Sequence, residues 1–316
     1  MLAAFTRWLS VALLAISLAA CGQTDGEPSA AFKPLSPEAE QLLQVKGMTA
    51  QSPIFVRIFK EESELEVWKA RDDGHFYHFK TYPICNWSGD LGPKLETGDK
   101  QAPEGFYMVS ASQMNPNSSF YLSFNLGFPN ALDKAYGRTG SALMVHGNCK
   151  SAGCYAMTDA LIEEIYALAR ESFTGGQEAF QVQAFPFRMT PENLKLHKGH
   201  KWYGFWRQLK DGYDDFEISR QPPSVAVCSK RYLINASFHD FSGRLDPAGP
   251  CPPFQKVKPE LWVEAEQPGA TVLAMRQHAP GKKTRDLYQE QMLAQQGLLT
   301  GEAAAAGLGF DTSAGN

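Results

Sequence analysis

The sequence predicts a mixed α+β fold in which strands dominate. Six short segments with strand-like patterning follow one another between residues 54 and 146, before any helix with clear periodicity. The first strongly amphipathic helix begins near residue 158, and few others follow it. About 295 residues remain after an N-terminal leader, which is enough for one large domain or for a domain with an appendage.

The N-terminal residues have the layout of an export signal. A head with one positive charge, Arg7, precedes thirteen mostly apolar residues, Trp8–Ala20, and then Cys21. An export signal has an apolar core of about 7–15 residues, whereas a membrane-spanning helix needs about 20. The junction Leu18-Ala19-Ala20-Cys21 resembles the bacterial lipoprotein box, and the alternative is an ordinary cleaved signal that happens to end beside a cysteine.

The lipoprotein interpretation predicts where the protein is located. Residues 1–20 would be removed, Cys21 would carry several acyl chains, and these would hold the protein stably at a membrane. Gly22, rather than Asp, after the cysteine favours the outer membrane. We therefore expect a lipid-anchored protein of the cell envelope that faces the periplasm.

The rest of the chain divides by composition. Residues 21–53 are rich in Gly, Pro, Ser and Ala and are predicted to form a flexible tether, with one short helix at Pro37–Lys46. The main domain is expected over residues 54–188 and a C-terminal extension over residues 189–265. Residues 266–316 are a low-complexity tail, with at most one helix near Asp286–Leu299.

The predicted elements of the main domain follow from periodicity. Strands are expected where apolar and polar residues alternate and β-branched or aromatic types are frequent. They cover Ile54–Phe59, Glu64–Ala70, His75–Tyr82, Glu104–Val109, Phe120–Leu126, Ala142–His146 and Phe180–Phe187. A helix over Thr158–Glu171 has an apolar stripe and carries Asp159 in its first turn.

Less regular patterns fill the C-terminal extension. A second helix is predicted over Trp202–Leu209, a hairpin over Ser224–Leu233, and a loop over Asp246–Pro253. The net charge of −4 gives no electrostatic reason to expect a nucleic acid as a partner.

The segment "MVHGNCKSAGCYAMTD", residues 144–159, holds one histidine and two of the six cysteines. An exported chain meets an oxidising compartment, where cysteines are expected to pair. If Cys21 carries lipid, five cysteines remain, and an odd number leaves one thiol free.

Cys154 is the candidate for that free thiol. It follows Gly153 and precedes a predicted helix, whose dipole and unpaired N–H groups favour a thiolate and can hold an oxyanion. His146 ends a predicted strand, and Gly147 allows a tight turn behind it. Imidazole and sulfur can thus come within reach of each other, as acyl transfer by an activated nucleophile requires.

Two other interpretations of the same residues stay open at this point. A zinc site would use His146, Cys149 and Cys154 with a fourth ligand such as Cys85, but this spacing fits no common structural zinc pattern. A Cys149–Cys154 disulfide is the other alternative.

The segment "HGNCKSAGC" is similar to the catalytic stretch of the L,D-transpeptidase (YkuD-type) family, in which His-Gly is followed by Ser-x-Gly-Cys. The similarity continues over roughly residues 54 to 235 and resembles the YafK-type branch of that family. The matching blocks are Tyr82–Tyr107, Phe124–Gly147, Gly153–Asp159 and Phe185–Asn193. The resemblance implies a β-sandwich-type catalytic domain with a small C-terminal appendage.

The resemblance also implies roles for individual residues. Cys154 would be the nucleophile and His146 the proton acceptor and donor. Backbone N–H groups around Gly153–Tyr155 would form the oxyanion hole. A main-chain carbonyl, that of Gly147 or Ser151, would orient the imidazole, and neither a metal nor an organic cofactor is implied.

The motif departs from the common family pattern Ser-His-Gly-Cys-x-Arg in two places. Ala152 stands where the second histidine would be, so that only His146 can act as the base. Tyr155-Ala156 replaces the pair that ends in arginine, and the residue that would help to place a donor carboxylate is therefore absent. Lys94, Arg138 and Arg188 are substitutes that the sequence does not rank.

With Cys154 free, the four remaining cysteines allow three pairings. We expect Cys85–Cys149, which would tie a loop to the catalytic segment, and Cys228–Cys251, which would staple the C-terminal extension.

The activity that the resemblance implies is acyl transfer on peptidoglycan stem peptides through a Cys154 thioester. A hydrolase of the same fold, for example an amidase that releases lipoproteins linked to the cell wall, is a second interpretation. A non-catalytic lipoprotein that only binds peptidoglycan is the third, and the intact His146/Cys154 pair argues against it.

Overall fold

The computed structural model describes residues 29–239 and 241–263, and their strands form two five-stranded sheets. The expected signal segment, Cys21, the start of the tether and the low-complexity tail lie outside the described residues. No helix in the described ranges is both long and apolar enough to cross a bilayer.

The first sheet has the strand order β3-β2-β1-β10-β5. Its strands are β1 (Ile54–Phe59), β2 (Glu64–Ala70), β3 (Phe76–Pro83), β5 (Gly105–Ser110) and β10 (Ala179–Phe185). β1 pairs in parallel with β10, and the other neighbours are antiparallel.

The second sheet has the order β4-β9-β8-β7-β6 and carries the His/Cys segment. Its strands are β4 (Asn86–Trp87), β6 (Met114–Ser118), β7 (Tyr121–Asn125), β8 (Met144–His146) and β9 (Tyr155–Ala156). Only β8 and β9 are parallel to each other. Two antiparallel ribbons follow near the C-terminus, β11 (Val225–Cys228) with β12 (Arg231–Ile234) and β13 (Ala236–Phe238) with β14 (Phe254–Lys256).

The helices lie between and after these strands. They are α1 (Pro37–Val45), α2 (Ala131–Ala135), α3 (Asp159–Thr174), α4 (Pro191–Leu196) and α5 (Tyr203–Ser219). Thr158 is the N-cap of α3, and its side chain accepts a hydrogen bond from the Leu161 N–H. The helix therefore begins where the sequence predicted. The predicted strands and this helix are therefore present, and the mixed α+β, strand-rich fold is confirmed.

The main core is a single apolar cluster that contains side chains of both sheets and of α3. Val56 and Val67 reach it from the first sheet, Phe124 and Val145 from the second, and Leu168 from α3. Burial of such side chains contributes about 1.5–3 kcal/mol each, so this layer holds the two sheets together.

A second cluster covers the opposite face of the first sheet. Phe59 and Phe185 of the sheet pack there against Trp206 and Leu209 of α5. Every residue of β1 is consequently buried, in keeping with a sequence in which Arg57 is the one polar residue. The segment that we expected to be an appendage, residues 189–265, supplies this cover.

The tether prediction for residues 21–53 differs from the structure in its second half. Leu35, Leu43 and Met48 are buried in the main core. Arg170 of α3 donates hydrogen bonds to the carbonyl oxygens of Ala31 and Lys33. Well-spaced apolar side chains among the Pro and Ser residues cause this packing, so this part of the expected tether belongs to the folded domain.

The loop over residues 88–104, called the cover loop below, is fixed by a fully buried ion pair. Lys60 Nζ lies 3.0 Å from Glu104 Oε1 and also donates to the carbonyl oxygens of Asp90, Gly92 and Ala102. Glu104 accepts in addition from the Gly92 N–H and, through its second oxygen, from the Trp206 indole. The side-chain hydrogen bonds of this buried pair all end on the cover loop or on α5.

Removing one partner of this pair is expected to leave a buried charge without its counter-charge. Glu104→Gln should lower the free energy of unfolding by about 3–5 kcal/mol, and Lys60→Met by a similar amount. The free energy of unfolding of the double variant should fall by less than the sum of the two single effects. The double variant has neither charge, so no buried charge is left unpaired. Denaturant unfolding of the four proteins measures this, and Asp214→Asn, at an exposed pair with Lys210, is the control with a loss below about 1 kcal/mol. Additive losses would contradict the account.

Candidate active site

His146 lies at the end of β8 and is buried, with 3% of its surface exposed. Its Nδ1 lies 2.6 Å from the carbonyl oxygen of Gly147. A carbonyl oxygen can only accept a hydrogen bond, so Nδ1 carries the proton and Nε2 is left as the basic nitrogen. Of the two carbonyl groups that we considered, that of Gly147 therefore orients the ring.

Gly147 cannot be replaced without moving its neighbours. A Cβ atom at this position would lie 2.5 Å from Asp159 Oδ1 and 2.9 Å from the carbonyl oxygen of Phe120. The Gly147 N–H donates to the carbonyl oxygens of Phe120 and Leu122. The His-Gly dipeptide is thus held against the turn between β6 and β7.

Cys154 immediately precedes β9, and β9 pairs in parallel with β8, the strand that ends at His146. Val145 is the register partner of Tyr155 and His146 that of Ala156. Cys154 therefore lies opposite Met144, whose N–H points at Sγ over 3.4 Å. Because side chains alternate along a strand, Cys154, Met144 and His146 are on the same face of the sheet.

The disulfides of the described residues are Cys85–Cys149 and Cys228–Cys251, and Cys154 is free and partly exposed. These are the two expected pairs. The first bond uses two of the four zinc ligands considered above and also rules out a Cys149–Cys154 bond. Within residues 29–239 and 241–263, no group of three or more His, Cys, Asp or Glu side chains could hold a metal ion.

The turn that leads to Cys154 has an unusual backbone. Asn148 and Cys149 both have positive φ angles, +67° and +51°, which non-glycine residues adopt at a cost of about 1–3 kcal/mol. The Asn148 N–H donates to Asp159 Oδ1, and the Cys149 N–H donates to the Met157 carbonyl. These bonds and the disulfide hold the turn in place.

Ser151 has a different contact from the one expected. Its hydroxyl donates to the carbonyl oxygen of Cys154 at 2.7 Å and accepts from the Gly153 N–H at 3.3 Å. It lies 3.2 Å from the hydroxyl of Ser88 in the cover loop. Ser151 therefore shapes the turn around the nucleophile and does not orient His146.

The backbone N–H groups differ in their availability to an oxyanion. Tyr155 lies in β9 between β4 and β8, so its backbone is part of the sheet ladder. The Gly153 N–H already has Ser151 as an acceptor. No described residue accepts a hydrogen bond from the N–H of Cys154, so this group, in the middle of the expected Gly153–Tyr155 stretch, is the donor left available to an oxyanion.

The pKa values of the pair favour the neutral forms. Burial raises the pKa of the Cys154 thiol above its ordinary value, although the Met144 N–H and the charge of Lys94 act in the opposite direction. Burial lowers the pKa of His146, against the hydrogen bond to Gly147. A strand and a turn separate Cys154 from the start of α3, so the helix dipole does not favour the thiolate as expected.

Of the three cations considered as substitutes, Lys94 is the one that acts on the site. It is the basic side chain among them that influences the Cys154 pKa, and it pairs with Asp99 in the cover loop. Arg138 is instead paired with the buried Asp133 at 2.7 Å. Arg188 is paired with Glu64 and Glu66 on β2, in the other sheet.

The comparisons with known proteins agree with this geometry. A family model described as the L,D-transpeptidase catalytic domain (YkuD) matches residues 59–183. The chain is 44% identical over 207 residues to the protein named "Putative L,D-transpeptidase YafK" of Escherichia coli K12, which covers 66% of this chain and 81% of that protein. The chain belongs to the L,D-transpeptidase (YkuD) family. The protein of the same name from Escherichia coli O157:H7 matches equally well.

Solved structures resemble the chain more distantly than these family members do. The helical cell shape determining protein Pgp2 from Campylobacter jejuni is 17% identical, covers 60% of this chain and 80% of its own, and has a TM-score of 0.35. Bd1075 of Bdellovibrio bacteriovorus is 20% identical, covers 52% of this chain and 61% of its own, and has a TM-score of 0.31. The family assignment does not depend on them.

The neutral resting pair predicts the pH dependence of thiol reactivity. The rate of Cys154 alkylation by iodoacetamide should keep rising with pH through about 8.5, the ordinary pKa of a cysteine thiol, because the thiolate is the reactive form. Mass spectrometry of the alkylated Cys154 peptide against time and pH measures this, with Cys154→Ser as the blank. A rate that is already constant below about pH 7 would show a resting thiolate–imidazolium pair and contradict this electrostatic account.

Proposed function

We propose that this protein is a cysteine-dependent L,D-transpeptidase that acts on the stem peptides of peptidoglycan. Membership of the L,D-transpeptidase family supports the activity. The observation that carries the proposal is that a free thiol, Cys154, lies on the same face of the sheet as a buried imidazole, His146, whose Nδ1 is fixed on a carbonyl oxygen. That arrangement leaves Nε2 to accept the thiol proton.

The first half of the reaction forms a thioester. His146 Nε2 takes the proton of the Cys154 thiol as the sulfur attacks the carbonyl carbon on the L-centre of diaminopimelate in a donor stem peptide. The carbonyl electrons move to the oxygen, where the Cys154 N–H stabilises the charge by about 3 kcal/mol, as one such donor typically does. The carbon–nitrogen bond then breaks, and the departing amine takes the proton from His146.

The second half regenerates the thiol. An acceptor amine loses its proton to His146 and attacks the thioester carbon, and the released sulfur recovers that proton. If water takes the place of the amine, the product is a carboxylic acid and the enzyme acts as a hydrolase. A hydrolase of this kind would release proteins that are attached to peptidoglycan, and the two acceptors give products of different mass.

The location that we propose is the cell envelope. Cys21 carries the lipid anchor, Gly22 directs the protein to the outer membrane, and the active site faces the periplasm. Ala30 already packs against the main core, and eight residues, 22–29, separate it from Cys21 in the sequence. Eight residues span at most about 28 Å, so the enzyme works close to the membrane surface.

Purified protein incubated with defined muropeptides tests the reaction. We expect cross-linked or hydrolysed products by mass spectrometry, and loss of nearly all turnover in Cys154→Ala. His146→Gln should lower kcat by about 10²–10⁴-fold, the usual contribution of general acid–base catalysis. His239→Gln, in the C-terminal extension, is the control and should keep wild-type turnover. Full turnover in Cys154→Ala would refute the proposal.

Cell fractionation tests the anchor. Cys21→Ser should move the protein from the membrane to the soluble fraction, since a chain without its acyl groups has no anchor. The released protein should keep the wild-type alkylation rate at Cys154, because Cys21 precedes every described core residue in the sequence. Gly22→Asp is the matched variant and should move the protein from the outer to the inner membrane. Membrane retention of Cys21→Ser, with an acyl mass still attached, would contradict this location.

A further inference from the structure

An exposed aromatic side chain covers the imidazole of the candidate active site. Phe120 lies in the turn between β6 and β7, and 40% of its surface is exposed. Its ring centroid lies 4.7 Å from that of His146, and the two planes are inclined by 33°. A large apolar side chain that stays exposed on a surface turn gains little stability from burial. The contact between Phe120 and His146 therefore suggests a role other than stability.

We propose that Phe120 is a positioning residue that holds the His146 imidazole in the orientation needed to accept the proton of Cys154. The inference deepens the proposed function, on which it rests, because it names the group that prepares the base for the reaction.

Two contacts from different directions fix the orientation of the His146 imidazole. The Gly147 carbonyl fixes Nδ1 in the plane of the imidazole, over 2.6 Å. Phe120 lies against its face and prevents the ring from rotating about the Cβ–Cγ bond. A rotation by half a turn would exchange the ring edges and move Nδ1 away from the Gly147 carbonyl, and without Phe120 the hydrogen bond alone would have to oppose it.

The backbone couples the two contacts. The carbonyl oxygen of Phe120 accepts the Gly147 N–H at 3.0 Å. Phe120 therefore acts twice. Its side chain covers the imidazole, and its backbone carbonyl holds Gly147, whose own carbonyl orients the imidazole. Tyr121, the next residue, has a φ of +70° and donates its hydroxyl to Glu163 of α3, which anchors the turn.

Phe120 also contributes to the neutral state of the base. The groups opposite His146 on the neighbouring strands are Ser123 and Ala156, and neither is charged. The charged groups of α3 on this side are Asp159, which is bound to the Asn148 N–H, and Glu163, which is bound to Tyr121. Burial is the main cause of the lowered pKa of His146, and the Phe120 ring provides part of that burial.

NMR of histidine-labelled full-length protein tests the proposal without any substrate. The His146 signals are assigned by their loss in His146→Gln. In the wild type, the ¹⁵N shifts should show a single neutral tautomer, protonated at Nδ1, and a pKa below the ordinary value. In Phe120→Ala the pKa should rise by about 0.5 unit or more, as expected when a buried group gains access to water, and the second tautomer should appear.

Two further variants separate positioning from a general loss of structure. Phe254→Ala removes a phenylalanine of nearly equal exposure, 39%, from β14 and should leave the His146 signals unchanged. Phe120→Leu covers the ring only in part and should give a pKa and a tautomer ratio between those of wild type and Phe120→Ala. In muropeptide turnover, Phe120→Ala should lower kcat more than it raises KM.

Unchanged tautomer and pKa of His146 in folded Phe120→Ala would overturn the proposal. If that variant does not fold, unchanged signals in Phe120→Leu would overturn it equally. The NMR measurement needs no substrate, so it does not depend on whether peptidoglycan is the substrate. If Phe120→Ala alters the His146 signals but the wild type turns over no muropeptide, the proposed function is refuted and the role of Phe120 in positioning the imidazole still holds.

Discussion

The buried ion pair between Lys60 and Glu104 is the constraint on which the site depends most. It joins the end of β1 to both ends of the cover loop and, through the Trp206 indole, to α5. The cover loop in turn contacts the nucleophile segment, since Ser88 meets Ser151 and the Tyr155 hydroxyl donates to the Pro103 carbonyl. A buried ion pair of this kind adds little net stability. Its effect is to fix one conformation of the cover loop, because any other conformation would leave a buried charge unpaired. The C-terminal extension thus supports the active site from the far side of the first sheet.

The resting site combines a protonated thiol with a neutral imidazole. Burial acts on both groups in the direction that removes charge, and no described carboxylate lies against the imidazole to favour its protonated form. Such a pair avoids the cost of a buried ion pair between turnovers and protects the thiol from oxidation, because the thiolate is the form that oxidants attack. The charge then develops only as the sulfur attacks a bound carbonyl group, when His146 receives the proton. The fixed tautomer matters for this reason: Nε2 must already face the thiol when a substrate arrives.

The parts of the fold that could be predicted are those in which local pattern and tertiary environment agree. Strands such as Ile54–Phe59 and the capped helix α3 fall in this group, and so do His146 and Cys154 as a pair. The missed elements have weak local signals. α5 continues to Ser219, ten residues beyond the predicted end at Leu209, and Gly212 within the added part packs on the ring of Phe106. β9 has only two residues, and its presence, which moves Cys154 away from the helix start, depends on pairing with distant strands.

Phe120 was placed in a predicted strand, and nothing in its sequence neighbourhood indicates that it would contact His146. The packed part of the expected tether was missed because its Pro and Ser residues outweighed the apolar side chains of Leu35, Leu43 and Met48.

The central claim is that Cys154 carries the acyl group during turnover, and trapping that intermediate tests it most directly. Protein mixed with a tetrapeptide donor and quenched in acid within milliseconds to seconds should show an intact mass increased by that of the donor acyl group. Peptide mapping should place the increase on Cys154, hydroxylamine should remove it as it does thioesters, and His146→Gln should form it much more slowly. Product formation by the wild type with no such adduct, or with the adduct on Ser151, would contradict the account.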